Sequence, residues 1–155
     1  MFVAFYFPFI DLDMEDLYLN IAEEIEKVEK FDGQLVLALL KYIQILVVSL
    51  LKRGTIQKNN EYAEVFLKFI ESTTFFIKIE FILTQYSNSL DILNCSFDLI
   101  AYLQDYGITH LVKALRRGNM LEVLEGLVIE NEEVARKRDI LVDYIFGNSE
   151  GELSL

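Results

Sequence analysis

QLVLALLKYIQILVVSLLKR, Gln34 to Arg53, is an apolar run interrupted inside only by Lys41, Gln44 and Ser49. At about 100° per residue, Gln34, Lys41, Gln44 and Lys52 fall on one narrow arc, and Leu, Ile and Val fill nearly all the rest. Such a helix needs cover on almost every side, from protein or from lipid. Length and charge favour protein. Leu35 to Leu51 is 17 residues, the short limit for a membrane span, and Lys41 stands near its middle, where a charge is costly. We read the run as a buried central helix and keep membrane association as a disfavoured alternative.

The composition supports that reading. In 155 residues, 53% are hydrophobic, with 12 Phe and 8 Tyr but no Trp, enough apolar material for one domain with a large core. Pro8 is the single proline, so from Phe9 onward every residue can donate its backbone N–H, and only 7 Gly loosen the ladder. Long helices follow from this, rather than a turn-rich β design. The expected architecture is all-α: a compact bundle of five or six helices around the central one, in a single domain over 1–147, with a flexible tail at 148–155.

Upstream of the central run, Met14, Leu17, Tyr18, Ile21, Ile25 and Val28 recur at steps of three and four. They define the inner face of an amphipathic helix that Asp13 can cap. Glu15, Asp16, Glu23, Glu26 and Lys27 point away from that face, and Phe31, Asp32 and Gly33 break the pattern. At the amino end, Phe2, Phe5, Tyr6, Phe7 and Phe9 crowd around Pro8. This aromatic arm is too short to span a bilayer. It is expected to cover the protein's own core, with a partner interface of the kind aromatic hot spots make, or a lipid surface, as the alternatives.

Downstream, Lys52 and Arg53 offset the negative end of the central helix dipole and Gly54 offers a left-handed cap. A helix from Glu61 has Tyr62, Val65, Phe66, Phe69 and Ile70 inside. The stretch Ile77–Phe81 alternates like a strand, yet Glu71, Thr74, Lys78 and Gln85 share a helical stripe, so one long helix to about Tyr86 is expected. The next helix, Leu90–Tyr106, places Leu93, Phe97, Ile100 and Leu103 inside, and Asp91, Asn94, Asp98 and Asp105 outside. A short helix from about Ile108 ends at Arg116, Arg117 and Gly118. Asn119 and Glu122 have capping-box spacing for a final helical region. Within it, Glu132–Arg136 and Glu133–Lys137 pairs support a solvated helix over Asn131–Phe146, which Gly147 stops.

Charge restricts the functional classes. The net charge is −11, distributed as nine acids and two bases over residues 1–32, seven and nine over 33–118, and nine and three over 119–155. An acidic surface repels phosphate backbones, so autonomous nucleic-acid binding is disfavoured. Lys52, Arg53 and Lys58, with Lys113, Arg116 and Arg117, form a candidate basic patch if the fold joins them. Helix-end compensation accounts for both clusters without a ligand.

No catalytic residue, cofactor or metal is assigned. His110 is the only histidine, with no zinc-ligand spacing around it, and Cys95 is the only cysteine, without a cationic neighbour to activate it. The lone cysteine and the absence of a basic signal-peptide start lead to the expectation of a cytoplasmic protein. The reading is a non-enzymatic interaction or regulatory protein whose partner is protein, with a homo-oligomer expected from its generous apolar supply. The alternatives are an accessory helical subunit of a nucleoprotein complex and a membrane-associated protein.

Overall fold

The structure is a computed structural model, and it describes residues 20–56 except 22, residues 64 and 68, 74–105, and 111–153. The aromatic arm, Lys58, the inner face of the 61–70 helix and His110 lie outside these residues. The protein is an all-α bundle, and no strand occurs among the described residues. The chain forms two compact units, 1–75 and 76–155, and each is described by itself.

In the first unit, residues 20–26, apart from 22, are helical and lead through a 3-10 turn, Val28–Lys30, to helix α1, Gly33–Ile56. Ile21, Ile25 and Val28 are buried as their spacing requires, while Glu23, Glu26 and Lys27 face water. Asp32 starts α1: its Oδ1 accepts the Leu35 N–H at 2.9 Å and its carbonyl accepts that of Val36 at 3.0 Å. Val36, Leu39, Leu40 and Ile43 form the buried face, and each stabilises the fold by roughly 1.5–3 kcal/mol through removal from water.

The far end of α1 departs from expectation. The helix does not stop at Gly54 but continues through it to Ile56, so Gly54 is a helical residue and not a left-handed cap. Thr55 and Ile56 keep their N–H groups available and no proline intervenes, so the ladder continues at the modest cost of one glycine. At the other end of the unit, Thr74 is non-helical, and its hydroxyl donates to Glu26 Oε1 at 2.6 Å. The single helix expected up to Tyr86 is therefore broken at Thr74.

The second unit contains α2 (Phe75–Gln85, whose first residue closes the preceding unit), α3 (Leu90–Asp105), α4 (Leu111–Leu115), α5 (Met120–Gly126) and α6 (Glu132–Leu153). Residues 77–81 are helical, which settles the strand-like alternation in favour of α2. In α3 all four expected inner residues, Leu93, Phe97, Ile100 and Leu103, are buried. Helices α3, α4 and α5 pack against α6. The hub of this unit is thus a largely polar helix with a narrow buried line, Val134, Leu141 and Ile145.

The region after Asn119 is two helices separated by residues 127–131. Asn131 caps the second, its Oδ1 accepting the Val134 N–H at 3.0 Å. Helix α6 runs past Gly147 to Leu153, where a stop at Gly147 was expected. Solvent surrounds that glycine, so its absent side chain leaves no packing gap.

Candidate functional site

The residues singled out from the sequence divide as follows. Phe2, Phe5, Tyr6, Phe7 and Phe9 lie outside the described residues, as does Lys58. Lys52 is exposed on α1 and Arg53 belongs to the same helix. Lys113 is exposed on α4, and Arg116 and Arg117 are exposed in the turn that follows, 116–119. The two basic clusters therefore belong to different units. Among the described residues, no group of three His, Cys, Asp or Glu side chains could hold a metal ion.

The unusual chemistry sits behind that basic turn. Helix α2 buries Phe75, Phe76, Ile79, Ile82 and Leu83, and Glu80 lies at the edge of the same arc with only 8% of its surface exposed. Its Oε1 accepts the backbone N–H of Asn119 at 2.7 Å, and its Oε2 has no hydrogen-bond partner. Gly118 makes room for the carboxylate: a Cβ there would stand 2.8 Å from Oε1 and 2.9 Å from the carboxyl carbon, and closer still to Oε2. Gly118 does not adopt a positive φ, so the glycine here serves a close approach between backbone and side chain and not a left-handed helix cap.

Burial raises the Glu80 carboxyl above its ordinary range, and the Asn119 N–H bond works in the opposite direction without cancelling the rise. The expected capping box is also revised. Asn119 occupies the N-cap of α5 but its side chain makes no capping bond, and the N–H that a box would assign to Glu122 is taken by Glu80.

The second polar cluster joins α3 to α6. Lys137 Nζ donates to Asn94 Oδ1 at 2.7 Å and to Asp98 Oδ1 at 2.9 Å, and Asn94 Nδ2 reaches Asp98 Oδ2 at 3.5 Å. The ion pair is Lys137–Asp98, not the expected Glu133–Lys137. No ion pair joins Glu132 to Arg136 among the described residues either. Arg138 is committed to the end of α5: Nη1 donates to the carbonyls of Leu124 at 3.0 Å and Leu127 at 2.7 Å, and Nε donates to Asp139 at 2.6 Å.

In the first unit, Tyr42 is buried. Loss of hydration, followed by the nearby Glu24 charge, pushes its phenol up to about 12.

Glu80 stands outside the polar stripe of Glu71, Thr74, Lys78 and Gln85 that marks the outer face of the expected helix. A helix from Phe75 puts Glu80 between Phe76 at i−4 and Leu83 at i+3, and that flanking pattern marks it as half-enclosed. The Gly118 contact carries no local signal. No protein-family model, no curated protein and no solved structure matches this chain.

Proposed function

We propose that the chain is a non-enzymatic helical interaction protein that associates with copies of itself in the cytoplasm. The supporting observation is that large apolar side chains stand in water in the middle of helices: Ile45 of α1 is 62% exposed, Ile140 of α6 54% and Phe146 of α6 55%. Single exposed apolar residues in loops carry little meaning, but at mid-helix positions they leave faces that a partner can cover. No described helix is long and apolar enough to cross a membrane, which leaves protein as the covering the proposal favours.

Sedimentation velocity across roughly 5 to 500 µM protein, without detergent, tests the proposal. Concentration-dependent growth of the sedimentation coefficient supports it. A monomer throughout the range overturns it.

A further inference from the structure

The exposed side of α6 lies opposite its buried line of Val134, Leu141 and Ile145. Along it, Arg136, Ile140, Asp143 and Gly147 follow at steps of three and four and are all exposed, so they form one stripe. Arg136 and Asp143 make no ion pair among the described residues, whereas the neighbouring Asp139 is already engaged by Arg138. Seven residues separate the two charges, two helical turns with Ile140 between them, and their signs are opposite.

A stripe with a cation at one end and an anion at the other complements itself when two copies run antiparallel about a two-fold axis. We infer that this stripe of α6 docks on the same stripe of a second copy, with Arg136 of each opposite Asp143 of the other and the two Ile140 side chains meeting near the axis. In this register Glu132 and Glu133 lie across from Gly147 and Phe146, and the Asp139 carboxylates that flank the axis are each paired with their own Arg138. Gly147, with open space around it, lets the backbones approach at the rim.

The alternative face on α1 is less suited to a two-fold contact. Its exposed edge includes Lys41, Ile45 and Lys52, and an antiparallel pairing about its middle sets lysine against lysine. The α6 stripe over Glu132–Gly147 is about 24 Å long at ~1.5 Å per residue. A contact one helix wide is smaller than the ~800 Å² per partner of a standard interface, so the dimer is weak and salt-sensitive.

This inference rests on the self-association reading, and the experiment separates the two. Sedimentation velocity is run on the wild-type chain, on Arg136→Asp, on Asp143→Arg, and on an equimolar mixture of the two variants, with circular dichroism confirming helix content. The wild type is expected to dimerise, each variant alone to lose at least ten-fold in affinity, and the mixture to recover a dimer, because one variant then presents two acids to the other's two bases. A wild type that associates while both variants associate equally well overturns the α6 docking and leaves self-association standing. Loss of association by both variants without recovery on mixing overturns the Arg136–Asp143 pairing. A monomeric wild type overturns both readings.

Discussion

Glu80 Oε1 accepts the amide proton of Asn119 at 2.7 Å across 39 residues of sequence. In a capping box that proton goes to a carboxylate three residues further along the same helix; here a neighbouring helix supplies the acceptor. The start of α5 is therefore defined by tertiary structure, and the cost is a carboxyl group held away from water with one oxygen lacking a partner.

Replacing that carboxylate separates its two roles. Glu80→Gln keeps a carbonyl oxygen for Asn119 and removes the buried charge, so it is expected to raise stability at neutral pH by on the order of 1 kcal/mol. Glu80→Ala strands the Asn119 N–H and should cost about 1–3 kcal/mol. The pH dependence has a definite sign. Because the folded-state pKa is raised, the contribution of Glu80 is fully present below the unfolded value and is lost as pH rises through the folded value. Urea titrations at several pH values would show wild-type stability falling, relative to Glu80→Gln, as pH rises from the ordinary carboxylate range. A difference independent of pH would refute this assignment.

Gly118→Ala should destabilise the wild type by about 1–3 kcal/mol, since the added methyl group displaces the carboxylate from Asn119. In the Glu80→Ala background the same change meets no carboxylate and no positive φ. It is then expected to be neutral, or to stabilise by roughly 0.4–1 kcal/mol through the unfolded chain. A double-mutant cycle measures the coupling, and additive effects would mean that the two residues do not constrain each other.

Tyr42 gives the alkaline counterpart. Its phenol, raised to about 12 in the fold, favours the folded state below its ordinary value near 10, and that contribution is lost as pH climbs from there toward 12. The maximal slope for one proton is ~1.4 kcal/mol per pH unit. Denaturant melts between those limits should show Tyr42→Phe losing less stability than the wild type. Glu24→Gln should lower the Tyr42 pKa without returning it to normal, because desolvation is the larger cause.

Arg138 serves two carbonyls and one carboxylate with a single planar group. Arg138→Ala is expected to cost about 1–3 kcal/mol, and Arg138→Lys to recover less than half of it, since an ammonium lacks the guanidinium fork. Thermal melts of the three proteins decide this. A lysine variant as stable as the wild type would show that charge alone matters at this position.

Much of the fold could be read from local pattern. The spacing of Ile21, Ile25 and Val28, and of Leu93, Phe97, Ile100 and Leu103, identifies buried faces because helical periodicity acts over a few residues. The helix ends were harder to place. Gly54 and Gly147 looked like stops, yet glycine only permits a left-handed turn, and both helices continue through it. Lys137 offers the plainest example of tertiary override: Glu133 stands at the favourable distance in sequence, but Asp98 and Asn94 present their oxygens from α3. Glu80, Gly118 and Asn119 converge through the packing of one helix against a distant turn, and no window of neighbouring residues contains that information.

The seven-residue helix α5 is too short to hold itself together in water. One end is secured through Asn119 by Glu80, and the other through Leu124 and Leu127 by Arg138. Fraying of α5 therefore requires the release of contacts to α2 or α6. In deuterium-exchange experiments its amides should be protected as long as those of its neighbours, so that the shortest described helix apart from α4 would report the cooperative opening of the whole unit.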